Sequence, residues 1–99
     1  MKLIDTKNQL SEKEKHMAKV ANVDNATLTN IQLQAGQEIA EHDSKNEAFI
    51  IVRKGKVRFM VEGEPVEVTP DNILHMAPLE KHNLYAIEDT DLVLVQVKQ

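Results

Sequence analysis

The strongest candidates for functional residues in this chain are two histidines in well-separated segments. His42 lies six residues after Gly36, and His82 lies four residues after Pro78. A neutral imidazole is a good ligand for a divalent metal and also a hydrogen-bond acceptor for a small molecule. Glu47 follows His42 by five residues and adds a carboxylate. If both segments line one small barrel, we expect His42, Glu47 and His82 to converge on its interior and form a site.

Two further polar side chains belong to the candidate cavity. Ser44 lies two residues after His42, and its hydroxyl is a poor ligand for a divalent transition metal unless it is ionised. His75 has the same strand parity as Ile73, so it enters the cavity if Ile73 points inward and is otherwise a core or rim histidine. The chain contains no cysteine, which excludes a thiol nucleophile and any disulfide.

The elements that must position these side chains have the pattern of short strands. Residues 26–33 alternate between apolar and polar side chains, as in a strand with one buried face. Residues 47–53 form a continuous apolar run that is typical of a strand buried on both faces. The predicted strands cover residues 26–33, 39–42, 47–53, 56–61, 66–68, 73–76, 83–86 and 92–97. Short strands at this regular spacing predict an all-β sandwich or barrel.

The N-terminal part of the chain has a different pattern. Ser11 and Glu14 have the spacing of a capping box, and the residues that follow are mostly good helix formers without glycine or proline. The sequence therefore predicts a short helix over residues 11–18, within an N-terminal extension of residues 1–25. The barrel domain is then expected to cover residues 26–99.

Composition limits the classes of partner. The chain has 99 residues and a formal net charge of −4, which predicts one domain without the basic face that nucleic acid requires. No apolar run reaches the length of a membrane span, and no secretory signal is visible. We therefore expect a cytoplasmic protein that acts on neither nucleic acid nor membrane.

The apolar content of two neighbouring segments predicts self-association. Residues 47–53 and 56–61 carry more apolar side chains than the interior of one small barrel can take. We expect Ile50, Val52 and Met60 to face outward and to form a surface for a partner, because exposed apolar patches usually mark interfaces. The sequence thus predicts a homodimer in which strands pack face to face.

Two short motifs resemble those of the cupin family. The matching residues are Gly36, His42, Glu47 and Gly55 for the first motif, and Asn72, Pro78 and His82 for the second. Glu47 stands one residue earlier than the usual acidic position, and Asn72 stands where the second motif has a glycine. The resemblance covers residues 26–97 and implies a small cupin-type β-barrel, which is a double-stranded β-helix or jelly roll.

The resemblance also implies a site and two classes of function. Metal-dependent cupins present two histidines and a glutamate from the first motif and one histidine from the second; here Ser44 replaces one of these histidines. His42, Glu47 and His82 remain as ligands for a divalent ion such as Zn, Ni, Fe or Mn. One interpretation is a binding module that holds a small polar ligand near His42 and His82. The other is a dioxygenase-like or isomerase-like metal enzyme.

Overall fold

Nine β-strands form the structure, a computed structural model that describes residues 1–98. In chain order they are β1 (Lys15–Val23), β2 (Ala26–Leu33), β3 (Glu38–His42), β4 (Glu47–Lys54), β5 (Val57–Val61), β6 (Glu64–Val68), β7 (Ile73–Met76), β8 (His82–Ala86) and β9 (Thr90–Val97). Strands β2 to β9 correspond to the eight predicted strands, so the all-β prediction is confirmed. No helix in the described part of the chain is long and apolar enough to span a membrane.

The strands form two antiparallel sheets that enclose the core. One sheet has five strands in the order β1-β2-β9-β4-β7, and the other has four in the order β3-β8-β5-β6. Ile31 of β2, Leu92 of β9 and Val52 of β4 lie in one cross-strand row on the inner face of the larger sheet. Phe59 and Leu84 form a row on the inner face of the smaller sheet. These side chains are buried in a single hydrophobic cluster between the sheets.

The residues of β4 that face the core are not the ones predicted. Ile50 and Val52 are 2% and 3% exposed and belong to the core, so the expectation that they face outward is wrong. Their partners on β9 are Leu94 and Leu92, which also face inward. Alternate residues of a strand point to opposite faces. Because residues 47–53 form a continuous apolar run, either the even-numbered or the odd-numbered residues could face the core.

The predicted helix over residues 11–18 is also wrong. Residues 9–13 make only a turn, in which the Glu12 and Lys13 amides both donate to the Gln9 carbonyl at 3.0 Å. Strand β1 then pairs along its length with β2. Helix propensities differ by only a few tenths of a kcal/mol among these residue types. Pairing with β2 decides the conformation because it satisfies the backbone groups along one edge of β1 and covers part of the barrel.

Gln32 of β2 anchors the N-terminal segment on the outer side of the five-stranded sheet. Its buried side-chain nitrogen donates to the Lys7 carbonyl and to Asn30 Oδ1, both at 2.9 Å. Its side-chain oxygen accepts the Gln9 amide at 2.7 Å. One side chain therefore fixes two backbone groups of residues 7–9 against the sheet.

The Gln32→Met substitution keeps the length of the side chain but removes these three hydrogen bonds. We expect the free energy of unfolding to fall by about 2–3 kcal/mol, because the Lys7 carbonyl and the Gln9 amide lose their partner in a partly buried position. Urea denaturation measures this change, and hydrogen exchange should show lost protection of the Gln9 amide. Gln37→Met is the control, since Gln37 Nε2 makes one exposed bond to Glu14 at 3.3 Å. Equal losses in both variants would contradict the anchoring role of Gln32.

Candidate functional site

The structure places His42 and His82 side by side at one end of the barrel. His42 ends β3, His82 begins β8, and the two residues are direct cross-strand partners. The ring centroids are 4.2 Å apart and the ring planes make an angle of 64°, which is an edge-to-face arrangement. His82 is 8% exposed, whereas His42 is open to solvent. The pairing of β3 with β8 thus brings together two histidines that are far apart in the sequence.

A β-bulge in β3 turns His42 towards its partner. Ile39 pairs with Leu84 and His42 pairs with His82, so residues 40–41 stand opposite Asn83 alone. Without the extra residue, His42 would have the opposite parity to Ile39, which packs against the core. The bulge shifts the alternation by one residue and places His42 on the same face as Ile39.

Both rings are held by backbone carbonyls through the same nitrogen. His42 Nδ1 lies 2.9 Å from the Ala40 carbonyl oxygen, and His82 Nδ1 lies 3.0 Å from that of Glu80. A carbonyl oxygen only accepts, so Nδ1 must carry the proton, and Nε2 of a neutral ring is left with its lone pair. Within residues 1–98, neither Nε2 atom has a hydrogen-bond partner. The two rings therefore present two acceptors at one place.

A small cavity lies between the sheets beside the two histidines. Its volume is about 60 Å³, which is room for about two water molecules. The lining residues are Met17, Ile31, Ile39, His42, Ile50, Phe59, Met76, His82, Leu84 and Leu94. The two imidazoles are the polar members of an otherwise apolar lining. Ile39 and Met17 were not predicted to line a cavity, and Met17 was expected in a helix.

Ser44 connects the two loops that flank the histidines rather than lining the cavity. Its carbonyl accepts the Leu79 amide at 2.7 Å, and its hydroxyl accepts the Asn46 amide at 3.1 Å. Leu79 has a φ of 70°, which is unusual for a residue with a side chain. The loop that Leu79 belongs to also provides the Glu80 carbonyl that holds His82. Ser44 therefore stabilises the surroundings of the site.

Glu47 and His75 lie on the opposite side of the larger sheet from the cavity. Phe49 pairs directly with His75, and Glu47 shares the face of Phe49, while Ala48 between them is buried. His75 Nε2 lies 3.2 Å from Glu47 Oε2, and the His75 ring centroid is 4.9 Å from that of Phe49. The expected convergence of Glu47 with His42 and His82 is therefore wrong. Strand β4 pairs with β9 in regular register from Glu47 to Val52, so Glu47 lies on the same outer face as Phe49.

The residues near His42 and His82 do not fit the metal set that the family motif implies. Among residues 1–98, no three His, Cys, Asp or Glu side chains lie close enough together to hold an ion. Protein metal sites commonly need three or four ligands from the chain, and the two imidazoles supply two. The carboxylate expected from Glu47 is on the outer face of the barrel.

Known structures share this fold at low sequence identity. A conserved protein of unknown function from Streptococcus pyogenes is 23% identical with a TM-score of 0.81, over 100% of this chain and 96% of that one. An RmlC-like cupin with a double-stranded β-helix fold from Methanocaldococcus jannaschii is 22% identical with a TM-score of 0.85, over 99% and 91% of the two chains. The salicylate 1,2-dioxygenase of Pseudoaminobacter salicylatoxidans is 15% identical with a TM-score of 0.79, over 85% and 25%.

The family assignment comes from the sequence match. A search of curated protein sequences found no match. The family model described as a cupin domain matches residues 30–98, which include β3, β8 and both cavity histidines. This match covers more than half of the chain and agrees with the jelly-roll arrangement of the two sheets. The chain belongs to the cupin family.

Proposed function

We propose that this protein binds a small molecule with hydrogen-bond donors at the His42–His82 end of the barrel. The observation that supports the proposal is that a backbone carbonyl accepts from Nδ1 of each of the two adjacent rings. In the neutral rings, both Nε2 atoms are then acceptors before any ligand arrives. A preorganised pair of acceptors favours binding because the protein loses little side-chain freedom when the ligand binds.

The size of the cavity limits the ligand. A volume of about 60 Å³ takes no more than a methyl or ethyl group, since one water molecule occupies about 30 Å³. The rest of the ligand must lie across the mouth, where His42 is exposed. A short alkyl group next to two donors, as in a small vicinal diol, matches both the apolar lining and the two acceptors.

The metal-dependent enzyme is less well supported than the binding module. That alternative needs a carboxylate beside the two histidines, and Glu47 contacts His75 on the outer face instead. No other acidic side chain of the described residues completes a group of three with His42 and His82. We therefore propose the binding function alone.

Titration of histidine-labelled protein with 1,2-propanediol tests this proposal. The chain has four histidines, and ¹⁵N spectra separate their ring nitrogens. We expect saturable shifts at Nε2 of His42 and His82, with a dissociation constant on the order of 1–10 mM for so small a ligand. His82→Ala should weaken binding about five- to tenfold, which is the effect of losing one hydrogen bond.

His16 and His75 are internal controls in the same spectrum, and His75→Ala is the matched variant. Neither control ring should shift, and His75→Ala should bind as the native protein does. Shifts of similar size at all four rings, or no saturable shift at any, would refute the proposal. Tight stoichiometric zinc binding that His82→Ala abolishes would favour a metal site in its place.

A further inference from the structure

A second cavity lies at the end of the barrel opposite the histidines. Its volume is about 280 Å³, close to the lower end of the range of about 300–1,000 Å³ that small-molecule sites occupy. One wall is the N-terminal segment, and the other is formed by the ends of β4 and β9 and the connection before β9. The basal cavity, as we call it, is lined by residues that include Asn8, Leu10, Ser11, Lys54, Asp89 and Asp91.

A β-bulge supplies the basal cavity with a lysine that has no carboxylate partner. Lys54 stands opposite Asp91 because the register between β4 and β9 shifts after Val52. Arg53, the extra residue, donates to both oxygens of Asp91, at 2.9 and 2.8 Å, so this buried carboxylate is already compensated. In the described part of the chain, no acidic side chain lies within 4.0 Å of the Lys54 ammonium group. That group is therefore available to a ligand.

The opposite charge at the basal cavity comes from Asp89. One of its carboxylate oxygens accepts the Ala35 amide at 2.8 Å, which fixes the side chain. Its other oxygen has no hydrogen-bond partner among the residues that the structure describes. Asp89 and Lys54, both of them described and exposed, form no ion pair with each other. Unlike charges that line one cavity without meeting leave space between them for a molecule that carries both charges.

Two neutral groups and one apolar side chain complete the basal cavity. The Asn8 side-chain oxygen accepts the Leu10 amide at 2.8 Å, so the amide nitrogen of Asn8 is the group left to donate. Ser11 adds an exposed hydroxyl, and Leu10, which is 7% exposed, adds an apolar surface. The Gln34 side-chain nitrogen donates to the Leu10 carbonyl at 2.7 Å. This bond holds the N-terminal wall in place before a ligand binds.

We propose that the basal cavity binds a small amino acid with a short apolar side chain. Lys54 holds its carboxylate, Asp89 holds its ammonium group, and Leu10 contacts its side chain. A zwitterion satisfies both protein charges at once, whereas a simple anion or a simple cation satisfies one and lies close to another of its own sign. The site is independent of the small-molecule binding proposed for the His42–His82 end, because the two cavities share no residue.

Titration of ¹⁵N-labelled protein with L-valine tests the site. We expect saturable shifts of the Leu10, Ser11 and Asp89 backbone amides, with a dissociation constant on the order of 1 mM. Isovalerate lacks the ammonium group of valine, and isobutylamine lacks its carboxylate. Each should bind at least about tenfold more weakly than valine, because one charge-assisted contact is lost and one protein charge is left unpaired.

Lys54→Met and Asp89→Asn each remove one charge from the basal cavity. Each should weaken valine binding about tenfold, and Asp89→Asn keeps the oxygen that accepts the Ala35 amide. The preference for valine over isobutylamine should vanish in Lys54→Met, and the preference over isovalerate should vanish in Asp89→Asn. Lys56→Met is the matched control. It removes a lysine from the same β4–β5 connection that does not line the cavity, so the affinity for valine should stay unchanged.

Several results would overturn the amino-acid site. They are the absence of a saturable shift up to about 50 mM valine, equally strong binding of isovalerate or isobutylamine, and shifts at the His42 and His82 rings without shifts at the basal cavity. An equal loss of affinity in Lys56→Met and Lys54→Met would also overturn it. Circular dichroism verifies the folding of each variant; if Asp89→Asn does not fold, Lys54→Met with the two analogues decides the outcome.

Discussion

Replacing Phe59 with alanine is expected to lower the free energy of unfolding by about 3–5 kcal/mol. Phe59 is 1% exposed and is the largest of the fully buried side chains. It lies between the two sheets, where a rigid β scaffold cannot collapse to fill the space that the ring leaves. A domain of this size has a total stability of only about 5–15 kcal/mol, so a large share of the stability depends on this one ring.

Urea denaturation of Phe59→Ala and Tyr85→Ala compares the loss of a buried aromatic ring with the loss of a half-buried one. The comparison shows how much of the lost free energy of unfolding is due to burial. Tyr85 is half-buried on the outer face of the four-stranded sheet, where it contacts Arg58. Its truncation should cost about 1 kcal/mol, because the lost contacts are partly replaced by water. A loss of similar size in the two variants would contradict the placement of Phe59 in the core. Since Phe59 also lines the cavity, Phe59→Ala should enlarge the space beside the histidines.

Replacing Gly55 with alanine is expected to cost about 3 kcal/mol or more. Gly55 has a φ of 95° and connects β4 to β5 at the end of the barrel opposite the histidines. A Cβ atom here would overlap the Asp89 carbonyl oxygen and would lie 2.8 Å from Thr90 Cα. These are backbone atoms at the end of the β8–β9 connection and at the start of β9, so the alanine fits only if that backbone moves.

Gly36→Ala is the control that separates the two costs of Gly55→Ala, which are the overlap of the new Cβ atom with neighbouring backbone and the strain of a positive φ. Gly36 has a φ of 91°, close to that of Gly55, but a Cβ atom added there would have no neighbouring atom within 4 Å. Only the left-handed conformation is penalised there, at about 1–2 kcal/mol. Thermal or urea unfolding should therefore show a clearly larger loss for Gly55→Ala. Equal losses would mean that the contact with Asp89 and Thr90 contributes nothing.

The local sequence pattern was sufficient to predict most of the strands. It gave the wrong prediction where a helix pattern and a strand pattern overlap. Alternation in residues 26–33 identified β2, and the continuous apolar run of residues 47–53 identified β4. Residues 15–23 combine good helix formers with an alternation that only pairing with β2 makes decisive. The capping-box spacing of Ser11 and Glu14 had no bearing on the outcome, because the chain makes one turn there and enters β1.

The face on which each strand residue lies depended on contacts that are distant in sequence. Ile50 and Phe49 are both apolar, so the run that contains them does not itself show which of its two faces is buried. Pairing with Leu94 on β9 turned Ile50 into the core and left Phe49 and Glu47 outside. For the same reason Glu47 contacts His75 rather than the cavity histidines.

The sequence by itself determined that this chain is a β-barrel of the cupin type and that His42 and His82 belong to the ends of its strands. The spacing between glycines, prolines and apolar runs is local, so it can be read from the sequence without knowing which strands pair. The sequence predicted that the two rings would meet in a barrel, but only the tertiary structure provided the bulge at residues 40–41, which reverses the parity of β3 and turns His42 towards His82. The tertiary structure also decided that Glu47 does not join them, since a one-residue difference in register moves a side chain through the sheet.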